Sequence, residues 1–393
     1  MALRKIKSKK KKVAKNAMVT VFNPFAEEQF IPTGSIGFDV LLSRKALGVK
    51  VGTMVEVAGD SGTGKSTSIF AMACRQAKES GVKTIYLDSE GGIDRDHVDL
   101  NDALDLFNPN IEELQDKHGD KITDFIEAAL DGYSMVILQG NSFDSLDKIT
   151  EAVIQYAENH DDAIVFVIDS LAFISTTSEL KDSQADKAWV GQKAKAFRAW
   201  LTLNKINLQA HGVTTYFVNH LTMQGIGGFM SKPKAESATG SAAKYGPDVR
   251  ILIKEGEKIY NKEEEIIGHM AKVYCKKCRK NVSHRQIIIP MMLGAGPDNA
   301  RFLKEVLAET EVVKFSAWTT FDFPFLEEPE RVNGSEKAIE WVRAHENQIR
   351  DYLLEEGLLS LSSIGEEVKE SSSSDDDDSD TAPELPDDDE DEE

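Results

Sequence analysis

The chain has no apolar run of about 18 residues, the length a membrane-spanning helix needs, so its 393 residues predict no transmembrane segment. Its start, Met1-Ala2-Leu3-Arg4-Lys5, is basic but leads into no apolar stretch, so it does not read as a secretory signal. Three cysteines cannot make a disulfide framework, and their scarcity fits a reducing, cytoplasmic setting. Cys275 and Cys278 are close in sequence. A structural zinc site needs four ligands, and only His284 lies near them, so the pair is expected to pack as small side chains. No internal repeat is visible.

Charge is abundant but segregated. Residues 1–15 hold eight Lys or Arg and no acid, whereas residues 366–393 hold sixteen acids and one Lys. The net charge of −21 therefore argues only weakly against a nucleic-acid partner, because most of the excess sits in one tail. The first 29 residues read as a basic arm serving solubility, polymerisation or contact with DNA. Residues 366–393 are too poor in apolar side chains to offset ordering entropy and read as a disordered tail.

Between these ends apolar strands alternate with helical stretches. Strands are predicted at Thr53–Ala58, Lys83–Asp88, Met135–Gln139, Ala163–Ile168 and Thr214–Val218. Helices are predicted at Ser66–Glu79, Lys121–Ala129, Ser145–Glu158 and Trp189–Gln209. Such alternation predicts an α/β fold with a mainly parallel sheet flanked by helices. Beyond Pro247 come strand-like segments at Val249–Ile253, Ile266–Tyr274 and Gln286–Met292, then helices at Ala300–Thr310 and Ser335–Glu356. The expected division is a core over residues 30–295 and a small α/β portion over 296–365.

Gly59-Asp60-Ser61-Gly62-Thr63-Gly64-Lys65-Ser66 fits the phosphate-loop pattern and lies between a strand and a helix, as that loop requires. Glycines there let successive backbone N–H groups turn towards phosphate oxygens, and the helix N-terminus adds a favourable dipole. Lys65 is expected on the β- and γ-phosphates, Ser66 on Mg²⁺, and Thr67 beside the nucleotide. ATP with Mg²⁺ is the expected ligand. The strand ending in Asp169-Ser170 offers a carboxylate for the same metal. Tyr86-Leu87-Asp88-Ser89-Glu90 ends another strand, where Glu90 is placed to activate water unless it or Asp88 merely caps the turn. Tyr216-Phe217-Val218-Asn219-His220 ends a third, and His220 could sense a γ-phosphate.

In this order and spacing the four motifs resemble the RecA family of homologous-recombination ATPases, from about Phe30 to Glu355. The approach Ile31-Pro32-Thr33-Gly34-Ser35-Ile36-Gly37-Phe38-Asp39 resembles the family's lead-in to the loop. The resemblance implies a RecA-like core, Glu90 as the water-activating base, and Asp94 and His97 against the adenine. It also implies two DNA-binding loops, near Thr176–Val190 and Leu221–Ala243, with Lys187, Gly227, Gly228, Phe229 and Lys232 as DNA-binding residues. Glycine-rich sequence of the second kind would otherwise read as an ordinary flexible loop. Matched back from Met292-Leu293-Gly294-Ala295-Gly296, Lys277 and Arg279 fall on the family's two cations that reach the ATP of an adjacent subunit. The family usually has Gln where His220 stands, and the UvsX-type recombinases of bacteriophages resemble this chain there.

The implied activity is DNA-dependent ATP hydrolysis coupled to strand exchange. Single- and double-stranded DNA and further copies of the chain are the implied partners, with single-strand-binding and mediator proteins beyond them. Two other readings compete. A hexameric helicase of the same superfamily would form rings and normally carries an added N-terminal domain, whereas about 30 residues precede Ile31. A mediator or regulatory paralogue has no need of Glu90, Lys277 and Arg279 together.

Overall fold

The computed structural model describes residues 27–43, 45–176, 179–180, 192–224, 234–237, 245–279, 283–360, 364 and 366–367. Six parallel strands form the centre: β1 (Met54–Gly59), β2 (Lys83–Asp88), β3 (Met135–Gln139), β4 (Ile164–Asp169), β5 (Val213–Gln224) and β6 (Val249–Lys254). Their order is β6-β1-β5-β4-β2-β3, and β7 (Ile266–Cys278) and β8 (Arg285–Met292) continue the sheet antiparallel beyond β6. This is the mixed α/β architecture with a mainly parallel sheet that the alternation predicts.

Side chains of the central strands divide between two cores as the pleat dictates. Val165 and Val167 join Val55, Val57, Tyr86 and Val218 on the face covered by α1 (Lys65–Ser80). Ile164, Phe166 and Ile168 join Ile85, Leu87 and Phe217 on the other face. There α2 (Ile122–Leu130), α3 (Phe143–Asn159) and α4 (Gln192–Ala210) pack through Phe125, Leu146, Val153, Phe197 and Trp200. A bond of 3.1 Å from Trp200 Nε1 to Thr150 Oγ1 ties α4 to α3. The helices α5 (Asn299–Glu309), α6 (Ser335–Ala344) and α7 (Glu346–Glu355) bury Phe302, Leu303, Trp341 and Ile349 in the same core as Val55 and Phe70.

Four details differ from the sequence expectation. The single helix expected at Ser335–Glu356 is two, because His345 folds back on the preceding turn. Its Nδ1 lies 2.9 Å from Trp341 O and its ring stacks 4.1 Å from the Trp341 ring. Helices Arg95–Leu100 and Ile111–His118 were not expected; both are short and neither fully buries a residue, only Val98, Ile111 and Leu114 packing partly against the cores. β5 does not stop at Val218 but runs to Gln224, pairing antiparallel with Lys234–Ser237 from Leu221 onwards. The second loop thus begins as a hairpin directly after His220. Finally, Glu366 and Glu367 form a two-residue strand against Gln286 and Arg285, where no element was expected.

Register positions the site. Gly59 at the end of β1 lies opposite His220 on β5, and Asp88 at the end of β2 lies opposite Asp169 on β4. All four motifs therefore reach the carboxyl-terminal edge of the parallel strands, where open α/β sheets take their ligands.

Candidate nucleotide site

The loop after β1 has glycine where the backbone demands it. A Cβ on Gly59 would stand 2.5 Å from Ile253 O, and Gly62 and Gly64 have φ of 78° and 82°. Thr63 Oγ1 and Lys65 Nζ donate to Asp60 O at 2.9 and 2.6 Å, closing the loop on itself. Lys65 opens α1 and is buried, which lowers its pKa; Glu90, Asp169 and Asp60 act against that shift. The first turn of α1 holds no acid and no side chain caps it. Its N–H groups and dipole are thus presented to an anion, and phosphate fits there.

Ser66 and Asp169 meet as expected: Ser66 Oγ donates to Asp169 Oδ1 at 3.0 Å. The other oxygen, Oδ2, accepts from Tyr86 OH at 2.6 Å. Burial pushes the Asp169 carboxyl up to about 6, against the hydrogen bonds from Tyr86 and Ser66. A hydroxyl and a carboxylate are hard oxygen donors suited to Mg²⁺. No cluster of three or more His, Cys, Asp or Glu is assembled for a metal among the described residues.

Asp88 and Glu90 take separate parts. Asp88 is buried; its Oδ1 accepts from Gly91 N at 2.8 Å and its Oδ2 from Ile93 N at 3.1 Å, so it shapes the turn. Glu90 is left to reach across the sheet edge. Its Oε1 lies 3.0 Å from His220 Nε2 and accepts a short bond from Ser170 Oγ. In the sequence Ser170 and Tyr86 stand out only as letters of their motifs; a hydroxyl and a phenol beside acids in otherwise apolar strands were the available signal.

Asp94 caps helix Arg95–Leu100, accepting from His97 N at 3.1 Å and lying 2.6 Å from His97 Nδ1. The His97 contact holds the Asp94 carboxyl below its ordinary range. Asn101, just after this helix, donates to Gly294 O at 3.3 Å. A cavity of 220 Å³ lies alongside, lined by Gly62, Gly64, Thr67, His269, Met292 and Gly294. The larger cavity, 610 Å³, is lined by Lys83, Tyr156 and His160 at the far end of the strands and holds none of the motif residues.

Lys277 and Arg279 stand apart from the loop. Lys277 is level with Arg250, which is level with Glu56, three residues before Gly59 on β1. Two strand spacings and three residues put it roughly 14 Å from Gly59. Lys277 Nζ donates to Tyr245 O at 3.0 Å and Pro247 O at 2.8 Å, and Arg279 lies 3.2 Å from Asp248 Oδ1. Burial, then the neighbouring Arg279 and Lys205, lower the Lys277 pKa. Neither cation can serve the loop of its own chain. Lys187, Gly227, Gly228, Phe229 and Lys232 lie outside the described residues.

Comparison with known proteins agrees with this geometry. The RecA N-terminal domain family matches residues 127–298, a span that holds Asp169, His220, Lys277 and Arg279. Protein RecA of Mycoplasma mycoides is 23% identical over 318 residues, covering 79% of each chain. Protein RecA of Salinispora tropica is 26% identical over 326 residues, covering 81% of this chain and 80% of that one. Protein RecA of Xylella fastidiosa is 26% identical over 293 residues, 74% of each. Those alignments run over most of a sheet whose carboxyl edge gathers the phosphate loop, Glu90, Asp169 and His220, so it is to the RecA family that this chain is similar.

Proposed function

We propose that the chain is an ATP-dependent recombinase that assembles as a helical filament on single-stranded DNA and promotes pairing and strand exchange with a homologous duplex. One observation carries the reading: Lys65, Ser66, Asp169, Glu90 and His220 converge at one edge of the sheet. A pure binding module has no use for a carboxylate and an imidazole held together there.

In this reading the backbone N–H groups of Gly62 to Ser66 hold the phosphates and Lys65 neutralises them. Mg²⁺, held by Ser66 and Asp169, would offset charge on the bridging phosphate oxygens. Glu90 accepts the proton of the attacking water. His220 contacts the γ-phosphate and so links nucleotide state to the hairpin that begins at Leu221. Asp94 and His97 border the adenine. Lys277 and Arg279 act on the ATP of the next subunit, offsetting transition-state charge in trans. DNA lies against Lys187, Gly227, Gly228, Phe229 and Lys232. His220, standing where the family usually has Gln, favours the bacteriophage UvsX-type branch.

The test is ATP hydrolysis with and without single-stranded DNA, for the native chain and Glu90→Gln, beside electron microscopy of both. Native turnover rises with DNA, and Glu90→Gln loses at least about 100-fold while still forming ATP-dependent filaments. Closed rings, or Glu90→Gln turnover at the native rate, would overturn the reading.

A further inference from the structure

We propose that Ser170 is the positioning residue for Glu90: its hydroxyl fixes one carboxylate oxygen and leaves the other to take the proton from water. The proposal rests on Glu90 being the base.

Ser170 follows the last residue of β4 and is fully buried. Its backbone and side chain do different things. The carbonyl accepts from Ser89 Oγ at 2.7 Å, and Ser89 N–H donates to Asp169 O at 2.7 Å, which joins the ends of β2 and β4. The hydroxyl takes no part in that seam; it donates to Glu90 Oε1. His220 Nε2 approaches the same oxygen at 3.0 Å. Both donors thus converge on Oε1, and Oε2 has no hydrogen-bond partner among the described residues. The Glu90 side chain is 26% exposed, so water reaches it.

Glutamate is a poor base unless it is aimed. Its three rotatable bonds must be fixed to within about 0.5 Å for productive proton transfer. Two donors on one oxygen achieve this and make the free oxygen the more available acceptor. The donors are not equivalent. His220 has one Nε2–H, and it cannot be given to Glu90 and to a γ-phosphate together. When His220 turns to phosphate, Ser170 is the donor that stays. Its hydroxyl therefore matters most in the ATP-bound state, when the base is needed.

The experiment uses the full chain on single-stranded DNA, with steady-state hydrolysis and sensitive single-turnover phosphate release. Ser170→Ala keeps the carbonyl that joins the strands and removes only the donor. Its kcat is expected to fall about 10- to 100-fold, with the KM for ATP within about 2-fold of native. Ser170→Cys fills nearly the same space with a weak donor and is expected to fall in the same direction, which carries the test should the alanine variant not fold. In a Glu90→Gln background Ser170→Ala should cost nothing further, because it acts through Glu90. Native kcat in the Ser170 variants overturns the proposal. So does a raised KM at unchanged kcat, or an equal loss with and without Glu90. Those results leave Glu90 as the base, whereas native turnover by Glu90→Gln alone removes the base reading and this proposal with it.

Discussion

Replacing Arg250 by alanine should destabilise the protein by about 3 kcal/mol, the low end for breaking a buried ion pair because its own side chain is 22% exposed. The cause is Glu56, near the middle of β1, which is completely buried between strands. Its Oε2 accepts from Arg250 Nε at 2.5 Å and its Oε1 from Asn219 Nδ2 at 3.0 Å. Without the guanidinium, a buried carboxylate loses this countercharge while keeping its desolvation cost. If that is the origin of the loss, Glu56→Gln/Arg250→Ala should recover more than half of it, since glutamine keeps an acceptor near Oε1 and carries no charge. Guanidinium unfolding of the four proteins, followed by circular dichroism with m-values compared, measures the cycle. Arg250→Ala within about 0.5 kcal/mol of native, the ordinary range for a surface change, or strictly additive losses, would refute the account. Asn219 precedes His220, so the pair braces the strand that ends in the proposed sensor as well as the one leading into the phosphate loop.

Mixing Glu90→Gln subunits with Lys277→Ala/Arg279→Ala subunits, each inactive alone, should restore hydrolysis at roughly a quarter of random interfaces if those cations act in trans; DNA-stimulated phosphate release measures it, and no recovery would place them elsewhere. Burial pushes the Asp39 carboxyl up to about 7 from 3.8, although Thr33 N and Oγ1 donate to it. Its contribution is therefore present below about pH 4 and lost as pH rises to 7, so Asp39→Asn should gain up to about 4 kcal/mol over native above pH 7 and nothing at pH 4; unfolding curves that differ equally at both pH values would exclude this. Ending the chain at Ser363 should tighten duplex-DNA binding at low salt, with the difference shrinking as salt rises; equal affinity across salt would leave the tail a solubility device.

Much of the fold was legible because the strands are buried on both faces. Ile164–Asp169 reads as a continuous apolar run, and such a run between helical stretches has few other interpretations. Boundaries failed where a polar side chain made the decision. His345 splits one expected helix in two by folding over Trp341, and nothing in the periodicity marks that turn. β5 continues past His220 because Leu221 to Gln224 find partners in Lys234–Ser237, a pairing that no local pattern announces.

The site was legible to the extent that chemistry resides in strand ends. Gly59, Asp88, Asp169 and His220 could each be read from a short motif, because an apolar strand stopping at a polar residue marks a sheet edge. Their neighbour relations could not, because register is a long-range property: Gly59 faces His220 from 161 positions away only once β1 and β5 pair. Ser170 was hidden for the same reason, 80 residues from the carboxylate it holds. Lys277 and Arg279 show the limit most sharply. Resemblance assigned them to a nucleotide, and the register then set Lys277 level with Arg250 and Glu56, the two cations being bonded to Tyr245 O, Pro247 O and Asp248. A cation held about 14 Å from its own phosphate loop is too far to serve it, and the proposed role therefore needs another copy of the chain. In the proposed reading half of each ATP site is then a property of the assembly, and turnover should rise and fall with it.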